Sequence, residues 1–200
     1  METGEIEQAY SSLSHLYIDL FGSGQHEHHD DLRLIDDHLG HVAGPVLDLG
    51  CGPGHLTRYL RSRCPDVTGI DVVPEFISHA RDAHPTASFE LGSITNVTRA
   101  DGSVAGALAW YSLIHFDPDQ LDGALAEIRR IMAPGGVLVA GFFEGVDCEP
   151  FEHKVITAYR WPVDEFAHRL AEAGFSEVER LKRPQDGERR PHAAIAATAT

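Results

Sequence analysis

The run Asp48-Leu49-Gly50-Cys51-Gly52-Pro53-Gly54 ends a short apolar stretch, Val46-Leu47-Asp48-Leu49, and leads straight into a helical pattern. Glycines at alternate positions let the backbone reach φ > 0 and let a ligand approach bare main chain. Seventeen residues after Gly54, Asp71 ends the next apolar run. A carboxylate there can accept hydrogen bonds from both hydroxyls of a ribose. Open α/β sheets bind ligands in the crevice beyond the carboxyl ends of their strands. A glycine turn and a distal acid in that order point to a nucleoside-bearing cofactor. A dinucleotide wants GxGxxG so that its pyrophosphate rests on a helix N-terminus. Here the spacing is Gly50-x-Gly52-x-Gly54, with His55 where the third glycine should stand. Asp48 would repel a diphosphate but suits an ammonium group, and no GK[ST] follows to make a P-loop. S-adenosyl-L-methionine has the matching parts: a ribose, a cationic amino acid tail and no phosphate.

These residues need a scaffold, and the chain alternates in the way that builds one. Apolar runs at 46–49, 66–71, 87–91, 104–111 and 137–143 are separated by helical patterns at 55–62, 74–83 and 118–132. Pro74 suits a first helical turn. Leu121, Leu125, Ile128 and Ile131 share one helical face. Ala133-Pro134-Gly135-Gly136 is expected to stop that helix and turn the chain into the fifth run. Strands linked by helices of this length imply right-handed crossovers and a parallel sheet covered on both faces. The tail changes rhythm, with a helix at 163–173 closed by Gly174 and strands at 177–181 and 192–197. The polar loop between them makes an antiparallel pair. The fold class read from this is α/β, a doubly wound, seven-stranded, mostly parallel sheet whose last strand is antiparallel. Residues 1–42 read as a helical extension outside the sheet and 43–200 as one globular unit. Ile6, Tyr10, Leu13, Leu16, Tyr17 and Leu20 form an apolar stripe that could lie across its top.

Composition narrows the partners. The chain has 200 residues, 42% hydrophobic, and 31 acids against 16 bases for a formal charge of -15. Such a surface repels phosphate backbones, so no nucleic acid is expected. No apolar run is long enough to cross a bilayer, so no membrane partner is expected either. Cys51, Cys64 and Cys148 show no CxxC spacing, which argues against a disulfide framework or a structural zinc. The acidic residues 1–5 lack the look of a signal peptide, and a reducing cytoplasm is the expected location. Gln25-His26-Glu27-His28-His29-Asp30-Asp31 offers metal ligands, but no two of its histidines stand four apart. It reads as a solvated loop and helix start, and no metal is expected.

With Val46 to Gly54, Gly69-Ile70-Asp71-Val72, Trp110-Tyr111-Ser112-Leu113-Ile114-His115 and Met132-Ala133-Pro134-Gly135-Gly136 in this order, the chain resembles the class I SAM-dependent methyltransferases over residues 40–200. The resemblance implies that Gly50, Cys51, Gly52 and Gly54 form the turn beneath the methionine moiety. It also implies that Asp48 holds the ammonium, often through water, that Asp71 takes the ribose and that Val72 packs on the adenine. Gly92-Ser93-Ile94 matches the adenine edge, with Ser93 where the family frequently has an acid. Ala109 and Trp110 would offer backbone to the amino acid end. Tyr10 and Tyr17 match N-terminal tyrosines that close over the cofactor in similar enzymes. The implied function is transfer of a methyl group to an oxygen or nitrogen of a small-molecule acceptor, leaving S-adenosylhomocysteine.

Methyl transfer from a sulfonium is an in-line displacement in which positioning is the main task. A base is needed only when the acceptor is protonated. The strand end Ala109-Trp110-Tyr111-Ser112 lacks the Asn/Asp-Pro-Pro-aromatic run common to related amide and exocyclic nitrogen methylators, and lacks the magnesium-binding Asp of catechol-type relatives. That leaves a metal-independent enzyme. His115 is a candidate general base or a packing residue, and His153 a second candidate. Arg180, Lys182, Arg183, Arg189 and Arg190 cluster near the terminal hairpin, as a solvated turn or an anion site. A non-catalytic SAM-binding regulator and a dinucleotide-dependent oxidoreductase remain the alternatives, and the oligomeric state is open.

Overall fold

The computed structural model describes residues 3–22, 27–187 and 190–200. Three helices come first: α1 (Thr3–Ser12), α2 (Ser14–Phe21) and α3 (His29–Leu39). Then β1 (Val46–Leu49), α4 (His55–Arg61), β2 (Val67–Asp71), α5 (Pro74–Ala83), β3 (Ser88–Leu91) and β4 (Val104–Trp110) alternate, followed by α6 (Pro118–Ile131) and β5 (Met132–Glu144). Next come β6 (Glu149–Phe151), β7 (Ala158–Trp161), α7 (Val163–Glu172), β8 (Phe175–Arg183) and β9 (His192–Ala199). The main run of the sheet is β3-β2-β1-β4-β5, all parallel, continued by β9 antiparallel to β5 and β8 antiparallel to β9. The expected seven-stranded arrangement is therefore present, with the last strand reversed.

Two further strands were not expected. Among the described residues the sheet has nine, because β7 pairs parallel with the far end of β5 (Phe143 with Arg160, Glu144 with Trp161) and β6 pairs with β7. β5 runs past the last residue of β4, and β7 occupies the edge that this leaves. The four residues expected to turn the chain, 133–136, instead bulge within β5. The pairing with β4 jumps from Val104–Met132 to Gly106–Val137, and Gly135 sits at φ 75.

Helix boundaries follow local chemistry. Asp117 and Gln120 form a reciprocal capping box at the start of α6, with Pro118 in the first turn. The buried face of α6 is Leu121, Ala124, Leu125, Ile128 and Ile131. It packs with Leu138, Phe142 and Phe166 in the larger core on one face of the sheet, while α3 and α4 bury Leu34, Ile35, Leu39 and Leu60 on the other. The alanine-rich β9 lets its neighbours close in from both sides, and Ala193, Ala194, Ala196 and Ala197 are fully buried. The N-terminal stripe divides at Leu13, where the helix breaks. Leu16 and Leu20 stand 58% and 43% exposed, while Ile6, Tyr10 and Tyr17 turn toward the sheet. Among the described residues no helix is long and apolar enough to cross a membrane.

Candidate active site

The ends of β1, β2, β3 and β4 open onto a cavity of about 660 Å³, counting the solvent at its mouth. Its floor is the glycine turn after β1. Gly50 has φ 74, and a Cβ there would come within 2.3 Å of the Ser112 Cβ, so any side chain would drive β1 and the β4 loop apart. Gly52, at φ 52, faces the cavity beside the Tyr17 ring. Asp71, at the tip of β2, lies on the cavity wall. Its Oδ2 accepts from the Gly52 N–H at 2.8 Å and its Oδ1 from the Val73 N–H at 2.9 Å. Burial pushes this carboxyl up to about 6, against the pull of those amide hydrogens.

Val72, Gly92, Ser93, Ile94 and Trp110 line the cavity as well, as do Tyr10 and Tyr17, their rings in edge contact at 5.4 Å. Both rings also lean on Phe76. The Ser93 hydroxyl already accepts the Thr95 N–H and bonds Thr95 Oγ1. Four of the residues singled out for the cofactor do not reach the cavity wall. Asp48 is buried beneath the turn, where Thr57 donates to it at 2.6 Å and burial raises its carboxyl to about 6. Cys51 is buried beside it with a thiol pushed up by desolvation, Gly54 packs under Phe89, and Ala109 is enclosed within β4.

His115 lies on the wall and both its nitrogens are engaged. Nδ1 is 2.9 Å from the Thr157 carbonyl, which can only accept, so Nδ1 carries the hydrogen and Nε2 accepts from the Tyr10 hydroxyl at 2.8 Å. Burial holds the imidazole below its usual range. His153 touches His115, Phe143 and Phe151 but stays off the wall, and burial lowers it to about 4. Among the described residues its Nδ1 has no partner.

Sequence reasoning missed several wall residues. Ile70, Val73, Phe76 and Phe116 line the cavity, as do Tyr111 and Ser112, whose motif gave the resemblance but no role. Ser112 Oγ is buried without a partner among the described residues. Tyr111 is the one non-glycine residue at positive φ among those described, at 54. Its hydroxyl bonds His192 Nδ1. His192 Nε2 stands 3.3 Å from Asp31, and Arg183 grips both Asp31 oxygens at 2.9 and 2.8 Å. Asp31 was expected to be solvated and is 3% exposed instead. No local pattern could show that residues 31, 111, 183 and 192 meet.

The basic cluster of the hairpin resolves into pairs: Arg180 with Glu177 and Asp164, Lys182 with Glu144, Arg183 with Asp31. Arg189 lies outside the described residues, as does His26 of the histidine run. The donor atoms of His28, His29 and Asp30 fall within 4.8 Å of one another, with His28 Nδ1 capping α3 through the Asp30 N–H.

Comparison with known proteins gives this geometry a context. Residues 46–136 match the model of a family described as a methyltransferase domain. A malonyl-[acyl-carrier protein] O-methyltransferase of Pectobacterium atrosepticum is 37% identical over 106 residues, 53% of this chain and 41% of that protein. An uncharacterized methyltransferase of Mycobacterium tuberculosis is 36% identical over 106 residues, 53% of this chain and 42% of that protein. The match thus spans less than half the length of these relatives. Among solved structures, the 1,6-didemethyltoxoflavin-N1-methyltransferase of Burkholderia thailandensis, bound to 1,6-didemethyltoxoflavin and S-adenosylhomocysteine, superposes with a TM-score of 0.82 at 23% identity, covering 98% of this chain and 88% of that one. The [4+2]-cyclase SpnF superposes with a TM-score of 0.79 at 16% identity, covering 100% and 97%.

Proposed function

We propose that this chain is a class I SAM-dependent methyltransferase that moves a methyl group to an oxygen or nitrogen of a small molecule; its methyltransferase-domain match over residues 46–136 and its fold support that reading. The cofactor of that family is S-adenosyl-L-methionine, which supplies a sulfonium methyl as electrophile. The observation that carries the reading is Asp71. A buried carboxylate on a cavity wall is costly, and two backbone N–H groups hold its oxygens while leaving two of its roughly four acceptor sites free. Two ribose hydroxyls would fill those sites.

The other cofactor residues follow from their placement. Val72 and Ile94 would flank the adenine, with Gly92 and Ser93 at its edge. Gly50, Gly52 and the unpartnered Ser112 Oγ would meet the amino acid end. Trp110 would add a wall there, while Ala109, Cys51 and Gly54 would shape the turn from behind. Asp48 sits one layer down, so it would act on an ammonium by its field or through water rather than by contact. Helices α1 and α2, the first part of the expected 1–42 extension, would serve as the lid, because Tyr10 and Tyr17 line the cavity from that side and would exclude water from the reacting atoms. His115 would hold that lid through Tyr10 rather than act as a free base. The absence of an Asp at the end of β4 supports a metal-independent reaction.

The test is methyl transfer from labelled S-adenosyl-L-methionine to a panel of phenols, carboxylates and amines, read as methylated product together with S-adenosylhomocysteine. Product from any class supports the reading. The cyclase neighbour shows that this architecture also hosts a protein named for a reaction other than methyl transfer, so the second reading is cofactor binding without methyl transfer. Tight S-adenosylhomocysteine binding with no product from any acceptor would point to that second role.

A further inference from the structure

The two histidines singled out from sequence leave a protonated acceptor without a base. His115 has both nitrogens hydrogen-bonded, and His153 stands behind the wall. A third imidazole does connect to the cavity, through Tyr111. Tyr111 lines the wall and its hydroxyl bonds His192 Nδ1. His192, 2% exposed, approaches Asp31 with Nε2 at 3.3 Å. Arg183 holds Asp31 by both oxygens. Burial raises the Asp31 carboxyl, but His192 and Arg183 outweigh it and bring it down to about 2, so it is ionised at neutral pH. A tyrosine at φ 54 is a strained conformation that persists only where the surroundings enforce it, and such residues gather at functional sites.

Resting on the methyltransferase reading above, we propose that Tyr111, His192 and Asp31 form a proton relay and that the acceptor is a hydroxyl compound, an alcohol or phenol that arrives protonated. The acceptor oxygen bonds the methyl carbon as the carbon–sulfur bond breaks, its electron pair going to sulfur. The acceptor proton passes to Tyr111 Oη, and the Tyr111 proton passes to His192 Nδ1. The positive charge lost at sulfur reappears on the imidazolium, against ionised Asp31 and away from the reacting atoms. Tyr111 is the catalytic residue; His192 and Asp31 act through it. The charged and titratable groups facing the relay are Asp31 and Asp30 from α3, Arg183 from β8, the Glu144–Lys182 pair, and Glu27, which Trp110 and His55 hold. Arg190 lies one ring further, over Phe143.

The first test needs no acceptor. Imidazole ¹⁵N NMR of the cofactor-free full chain should find the His192 hydrogen on Nε2 and a bare Nδ1 whose resonance moves in Tyr111→Phe. A hydrogen on Nδ1 would make His192 the donor and overturn the relay. The second uses para-substituted phenols of graded acidity. Tyr111→Phe keeps the ring, so it should retain S-adenosylhomocysteine affinity within about threefold while turnover at pH 7 falls by roughly 10²–10⁴. The residual rate should rise about tenfold per pH unit up to each phenol's own pKa, since only the ionised acceptor then reacts. His192→Gln should reproduce that slope. A uniform fall across phenols and pH, or methylation confined to amines or carboxylates, would overturn the proposal. Failure of the unaltered chain to bind S-adenosylhomocysteine would instead bring down the cofactor reading, and the NMR result would still judge the relay.

Discussion

Asp71→Asn isolates the role of the carboxylate without emptying its place. Asp71 accepts the Gly52 and Val73 N–H groups, and an asparagine would offer one oxygen where two stood. One turn N–H would then face an amide donor, a cost of about 1–3 kcal/mol. The same change removes a buried carboxyl raised to about 6, whose ionisation at pH 7 opposes folding by roughly 3 kcal/mol. The two effects nearly cancel, so the melting temperature of the cofactor-free protein should move little. Affinity should not be spared. One ribose hydroxyl loses a charged acceptor, and the other keeps only a neutral one, for a total loss of about 3 kcal/mol, or roughly a hundredfold in Kd. Titration calorimetry with S-adenosylhomocysteine measures this, with thermal unfolding as the control. A folded variant whose Kd stays within about threefold of the parent would refute the ribose assignment. Asp71→Ala is the poorer probe, because it strands both turn N–H groups at once.

Other expectations follow from the same geometry. Asp71 and Asp48, both raised to about 6, contribute stability that is complete below about pH 4 and lost as pH rises through 6, and a cofactor that prefers the ionised forms reverses this. Its Kd should therefore tighten about tenfold from pH 5 to pH 7 for Asp71 alone, and up to about a hundredfold if Asp48 must also ionise; a flat profile would contradict both. Asp31 has the opposite sign. Its pairing contributes roughly 2 kcal/mol above pH 4 that disappears as pH falls toward 2, so Asp31→Asn should lose about 3 kcal/mol at pH 7 in denaturant titrations and much less at pH 2.5. Tyr10→Phe breaks the bond to His115 Nε2. It should weaken S-adenosylhomocysteine by about fivefold and increase proteolysis within residues 3–22, whereas unchanged protection would remove the lid role from this residue.

Much of this was legible in sequence because local chemistry specified it. Pro74, the alternation of apolar runs with helical faces and the glycine turn place the ends of β1 and β2 where a ligand must lie. The wall residues Gly50, Gly52, Asp71, Val72 and Ser93 follow from that placement. The unread parts depend on tertiary contact. β6 and β7 contain Pro150 and no sustained alternation, and exist because β5 outruns β4 and leaves an edge to pair. The N-terminal stripe looked continuous because apolar spacing does not reveal a break at Leu13. The resemblance gives Asp48 a place at the ammonium, often through water, but carries position and not depth, and the Thr57 hydroxyl claims the carboxylate below the turn. Asp31 sat in a run of histidines and acids that reads as solvated. Its burial comes from Arg183 and His192, more than 150 residues away in the chain.

Titration of the full chain with S-adenosylhomocysteine and, separately, with NADH is the most direct measurement. A single site with micromolar or tighter affinity for the thioether and no heat from the dinucleotide is the predicted pair of results. Heat from NADH, or silence from S-adenosylhomocysteine in a folded sample, would contradict the assignment of the cleft.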